Sequence, residues 1–236
     1  MILRKLLFIY VLLVLLPVSV TVGDAQAREL CSPFKGGVVA PEKIQTMLSA
    51  AEDGHLYRIE PSSSRVGFCI DSKLSRVNAE FRTFQGGLSL WSDPGEEEQV
   101  MVSITADSLD TGNAGIEHLL KSKHFFDVEK YPQILFASTD IHWNSSTVAV
   151  LKGDLTLHGV TRPVKLQVKI TSLKKDPDGH VERLLAKAGA TISRSEFGMG
   201  EISQIVDDNV DLCMSVEAVR YHNKVASSAD PTIGQK

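Results

Sequence analysis

The residues best able to bind a metal or move a proton are the seven histidines and three cysteines of this 236-residue chain. A zinc-type site needs ligands at short, regular spacing, such as two histidines one helical turn apart or a Cys-x-x-Cys pair. Neither pattern occurs. His118 and His124 fall near the end of an expected helix, His142 ends an expected strand, and His158 sits in a turn before Gly159 and Thr161. His158 therefore reads as a turn residue whose ring bonds neighbouring backbone, and no metal ligands are assigned. A serine nucleophile would need a placed base or a Gly-x-Ser-x-Gly elbow. The serines of Ser193-Arg194-Ser195-Glu196-Phe197 have neither, and Gly112, Gly115, Gly198 and Gly200 are isolated, as turns require. No catalytic residue or cofactor is expected, and the chain does not read as an enzyme.

The elements around these residues explain why. From Ser64 to Ile70, apolar Val66, Phe68 and Ile70 alternate with Arg65, Gly67 and Cys69, the period of a strand with one buried and one wet face. Val77, Ala79 and Phe81 repeat the pattern. Gly86-Gly87 is expected to form a turn or a bulge, Leu88 and Leu90 to carry the next strand, and Asp93-Pro94-Gly95 to turn the chain before Val100, Val102 and Ile104. Further strands follow over 133–139, 147–157, 164–170, 184–192 and 210–218. About eight antiparallel strands joined by short loops favour a closed barrel, because an open sheet of that size leaves unpaired edges. Arg194 and Glu196 are expected to pin the crossover to the last strand, with Phe197 packed on a barrel end.

One stretch breaks the meander. From Gly112 to Lys123 the pattern is a short helix: Asn113 caps it, Ile116, Leu119 and Leu120 share a side, and Lys121 and Lys123 suit its C-terminal end. Phe125 and Phe126 follow, and Pro132 bars helix continuation before the Gln133 strand. This helix reads as a plug over the barrel mouth, either a fixed cap or a lid that moves on its glycine-rich flank. A second helix is expected from Pro41 through Ile44, Met47, Leu48 and Ala51, stopped by Gly54 and packed over one end of the barrel.

Three stretches in order resemble the YceI-like family of lipocalin-like barrels. They are His118-Leu119-Leu120-Lys121-Ser122 with Phe125-Phe126-Asp127 and Tyr131-Pro132-Gln133-Ile134-Leu135-Phe136; then 153–164 around Gly153-Asp154-Leu155-Thr156-Leu157-His158-Gly159; then Ser193-Arg194-Ser195-Glu196-Phe197-Gly198-Met199. The resemblance spans Tyr57 to Arg220 and implies an all-β, lipocalin-like closed barrel that binds polyisoprenoid lipid, a quinone tail or a prenyl carrier. The residues by themselves support only a long apolar ligand, or else a solidly packed barrel that acts through its outer surface.

Composition narrows the partners. With 25 Lys+Arg against 29 Asp+Glu, the net charge of -4 argues against nucleic acid. Met1 to Ala27 reads as a secretory signal, with Arg4 and Lys5, an apolar run over 6–20 and the small-x-small site Ala25-Gln26-Ala27. That run is shorter than the ~20 residues of a membrane span. The expected organisation is a signal at 1–27, an extension at 28–55, the barrel at 56–221 and a flexible tail at 222–236, in a periplasmic or secreted protein. Exchange of an apolar ligand implies transient membrane contact, and nothing in the sequence sets an oligomeric state.

The alternation also names a ligand space. Val66, Phe68, Ile70, Ala79, Phe81, Ile104, Leu119, Phe125, Phe126, Ile134, Phe136, Leu155, Ala186, Ala188, Ala190, Phe197 and Met214 are its expected lining. The alanines are small where a solid core would want bulk, and no acidic or basic residue falls on the inward face of the best-defined strands. Cys69 and Cys213 face outward on the first and last strands, which closure makes neighbours. If they stand directly opposite they are within bridging distance, and an offset of two residues forbids the bond. The register decides between these two, so a Cys69–Cys213 disulfide is one of two open outcomes, with Cys31 free or paired between chains.

Overall fold

A computed structural model of the chain describes residues 39–90, 98–201 and 205–222. The expected signal, residues 28–38 of the extension with Cys31 among them, the 93–95 turn and all but the first residue of the tail lie outside the described residues. The strands are β1 (Leu56–Ile59), β2 (Arg65–Ser72), β3 (Arg76–Phe81), β4 (Phe84–Ser89), β5 (Gln99–Thr105), β6 (Leu109–Asp110), β7 (Gln133–Ser145), β8 (Val148–Leu157), β9 (Val160–Lys175), β10 (Val181–Ser193) and β11 (Val206–Arg220). The helices are α1 (Pro41–Glu52) and α2 (Ala114–Lys121).

All pairings are antiparallel and the sheet closes on itself, because β11 pairs with both β1 and β2. The short strands are halves of longer ones. β1 and β2 are interrupted by a 3-10 turn at Pro61–Ser63, where proline has no N–H to give the ladder. β3 runs on into β4, and β5 into β6, with similar breaks. The result is a meander barrel of eight wall strands, the expected class. Its wall alternates as the sequence does: on β8, Ala149, Leu151, Leu155 and Leu157 are buried while Lys152 and Asp154 are exposed.

Three sequence expectations need correction here. Gly86 and Gly87 form neither a turn nor a bulge but lie inside β4. A Cβ at Gly86 would stand 2.6 Å from the Met101 carbonyl oxygen, so glycine is what lets β4 approach β5 this closely. Helix α1 forms where expected, with Gly54 past its end at a φ of 77°. It packs on the outside of the wall rather than over an end. Gln99 and Met101 point away from the lumen yet are buried, and Lys43 of α1 donates to the Gln99 side chain and to the Ser138 carbonyl. The helix thus covers a strip of outer wall whose buried polar groups it partners. Third, β7 runs on to Ser145 and contains a bulge at Thr139, between the pairs Ser138–Gly153 and Asp140–Lys152.

Candidate functional site

Helix α2 sets one end of the lumen. The Asn113 carboxamide oxygen accepts from the amides of Gly115 and Ile116, satisfying two orphan donors of the first turn, and the Glu117 carboxylate accepts from the Thr111 amide. The cap fixes the helix phase, so Leu120 turns into the barrel and Leu119, 41% exposed, turns out. The chain beyond then drops Phe125 and Phe126 into the lumen. Phe126 packs with Phe68 and Phe81 at ring-centroid distances of 5.6 and 5.8 Å, the edge-on and tilted geometries aromatic pairs prefer.

Behind this plug lies an apolar cavity of about 210 Å³. Of the expected lining, Val66, Phe68, Ile70, Phe81, Ile104, Phe125, Phe126, Ile134, Phe136, Leu155, Ala186, Ala188 and Met214 stand at its wall. Four do not. Leu119 faces solvent, Ala79 and Phe197 are buried in packed core, and Ala190 lies on the inward side of β10 but away from the cavity wall. The structure adds wall residues from β8 and β9 that sequence reasoning passed over, Leu151, Val164, Leu166 and Val168 among them, although their alternation signals them plainly.

It also adds one charge. Arg194 continues the inward alternation of β10 past Ile192, is 1% exposed and borders the cavity. Its Nε donates to the Asp207 carbonyl at 2.9 Å, Nη1 to Glu201 at 2.8 Å and also to Met199, and Nη2 to Val206 at 3.0 Å. Its guanidinium lies 5.7 Å from the Phe125 ring centroid. Burial pulls its pKa below the ordinary arginine value. A buried charge persists only when its donors are used, and four backbone carbonyls use them here. The expected pinning of the crossover is therefore real for Arg194. Glu196 is exposed, and its part falls to Asp208, which accepts from the Ser195 amide at 2.9 Å and from the hydroxyls of Ser193 and Ser195. The Ser193 hydroxyl holds the Asp208 carboxyl below the usual carboxylate range.

His158 has a φ of 52° in the β8–β9 turn, and its ring meets the Phe197 carbonyl at 3.1 Å, far along the chain rather than in its own turn. His124 pairs with Glu201, tying the loop after α2 to the β10–β11 connection. Among the described residues, Asp176, Asp178 and His180 bring three metal-capable groups together in the β9–β10 turn. Asp176 there accepts from both the amide and the ring of His180, bonds that close the turn.

The possible Cys69–Cys213 disulfide is excluded by register. Cys69 stands opposite Asp211 and Cys213 opposite Gly67, the offset of two that forbids a bridge, and both thiols are free. Diagonal neighbours on antiparallel strands lie ~7–8 Å apart, beyond the ~4.4–6.8 Å a disulfide spans. Burial, then the neighbouring Cys69 thiol, raises the pKa of Cys213.

A closed antiparallel barrel of eight strands, plugged at one end by a short helix and holding an apolar-walled lumen, is a lipocalin-like scaffold. Within that class the chain belongs to the YceI-like domain family, whose model matches residues 57–218. An UPF0312 protein of Yersinia enterocolitica is 35% identical over 146 residues, 62% of this chain and 75% of that one. Burkholderia cenocepacia BcnA superposes with a TM-score of 0.61 at 21% identity, covering 68% of this chain and 99% of its own. A polyisoprenoid binding domain from Saccharophagus degradans, implicated in plant cell wall breakdown, superposes at 0.55 and 14% identity over 70% of this chain and 98% of its own.

Proposed function

We propose that this protein holds a long apolar lipid, of the polyisoprenoid or quinone-tailed class, within its barrel and outside the cytoplasm. The observation that carries the reading is the cavity wall. Among the described residues it is apolar except for Arg194, whose side chain is occupied by backbone carbonyls. Such a wall recognises chain length and shape, since no placed polar group selects a head, and apolar burial of ~25 cal/mol per Å² supplies the driving force. The fold shared with a polyisoprenoid binding domain supports the ligand class. The secretory pattern at 1–27 supports the address.

Organic extraction of the purified protein followed by mass spectrometry tests this. A stoichiometric isoprenoid-tailed lipid is the expected result, and its loss in a folded Ala188→Trp variant would place it in the lumen. A protein that carries no lipid and cannot be loaded with one would leave a packed barrel working through its outer surface.

A further inference from the structure

The lumen has two ends, and they differ. At the α2 end, among the described residues, Leu120, Phe125, Phe126, Phe197 and Met199 are buried, and Arg194 binds the β10–β11 connection through four carbonyls. At the opposite end a further space adjoins the cavity. A second chamber of about 70 Å³ shares the walls of Leu151, Val168 and Leu184 with the first and adds Leu90, Ile141, Trp143 and Ile170.

The bulge at Thr139 creates this chamber. Without it the alternation that sends Ile134 and Phe136 inward would send Ile141 and Trp143 out. With it, Ile141 stands opposite Leu151 and Trp143 opposite Ala149, both inward-facing. On β9, Leu173 stands opposite Leu184, a buried wall residue. Yet Trp143 is 37% exposed and Leu173 43%. Large apolar side chains that point inward and are still wet mark where a lumen meets solvent. The β1 side of this end is filled instead by Tyr57, whose hydroxyl donates to the Val181 carbonyl at 2.9 Å. The Trp143 ring is held at the rim by its Nε1–H, which donates to the Glu98 carboxylate at 2.7 Å. An indole with a wet polar edge and a dry face suits a boundary between water and hydrocarbon.

We propose that apolar ligand enters and leaves through a one-sided portal framed by Trp143 and Leu173, and that α2 is the fixed floor of the site. This rests on the lumen being a lipid site. The chain of the ligand then lies towards Phe125 and Phe126, with any polar head at the Trp143 rim.

Stopped-flow uptake of Nile red by the delipidated full chain tests the portal. A charge at the rim obstructs passage both ways, so Trp143→Arg and Leu173→Arg should each slow uptake and release at least fivefold, with circular dichroism confirming the fold. His124→Ala, which removes the contact between the α2 loop and Glu201, should leave both rates unchanged. Faster uptake in His124→Ala together with unchanged rates in the rim variants would overturn the portal and place the opening beneath α2. Should either arginine variant fail to fold, Leu173→Ser and Trp143→Ser relieve the rim, and unchanged rates there would equally overturn it. A wild-type protein that takes up no dye would instead remove the lipid-site reading on which the portal stands.

Discussion

The ring of Phe136 occupies the space that a side chain at Gly153 would need: a Cβ there would stand 2.5 Å from Phe136 Cζ and 2.6 Å from the Ala137 carbonyl oxygen. Both residues face the lumen on neighbouring strands, so this glycine sets how far the phenylalanine protrudes. Gly153→Ala should push the ring into the cavity, lower stability by ~1–3 kcal/mol and reduce lipid loading. Thermal melts and extraction assays check this. Adding Phe136→Leu should recover only part of the stability, because the Ala137 carbonyl remains in the way.

Arg194 is expected to be irreplaceable by lysine. An ammonium has three donors and no planar fork, so Arg194→Lys leaves backbone acceptors buried and unpaired. Each costs ~1–3 kcal/mol, and Arg194→Met should lose about 3 kcal/mol or more in chemical denaturation. A variant as stable as wild type would show that the β10–β11 connection holds itself.

Adjacent leucines on α2 should behave oppositely. Leu120→Ala removes a buried side chain and should cost ~2–5 kcal/mol, while Leu119→Ala should stay within ~0.5 kcal/mol. Urea melts of the two variants decide it, and equal losses would mean the helix phase is wrong.

The strand pattern was plain in the sequence wherever alternation ran unbroken, as at Val66-Phe68-Ile70 and Leu184 to Ile192. It failed where the backbone departs from the regular pleat. The Thr139 bulge reverses the facing of Ile141 and Trp143, and a bulge leaves little mark in residue types. Gly86 and Gly87 read as a turn or bulge because glycine serves turns and close strand contacts alike. Arg194 was legible by counting inward from Ile192, but its charge made an inward position look wrong until the carbonyls around it were seen. Outward facing for both cysteines could be counted, whereas register depends on the whole ladder and could not.

Cys213, exposed, should be accessible to alkylation in native protein, with its raised pKa slowing the reaction at neutral pH, and Cys69, half-buried, should be less accessible. Non-reducing peptide mapping should find no Cys69–Cys213 link in freshly purified protein. Such a link would show that β2 and β11 pair two residues away from the register described.

Acid should loosen the β10–β11 connection through Asp208. Its folded pKa is depressed, chiefly by the Ser193 hydroxyl, so its contribution is present above the unfolded carboxylate pKa and is lost as pH falls through the lower folded value. Melting temperature should therefore fall with acidification across and below the ordinary aspartate range. Asp208→Asn should start less stable at neutral pH and show a shallower fall. Parallel pH profiles for the two proteins would exclude Asp208 as a source of acid sensitivity.

The closing seam has a consequence for the order of assembly. From β2 to β11 most pairings join neighbours in the chain, whereas the seam joins residues 65–72 to 206–215, and the Ser64 hydroxyl donates to the Glu217 carbonyl 153 residues away. Until β11 has been made, the growing protein is a curled sheet with β2 and β10 each missing a partner, and such bare edges recruit strands from other molecules. The ring can shut only when nearly the whole barrel has been synthesised. The nascent molecule is thus most vulnerable to misassociation just before it is finished, while the apolar space inside it still lies open along its full length.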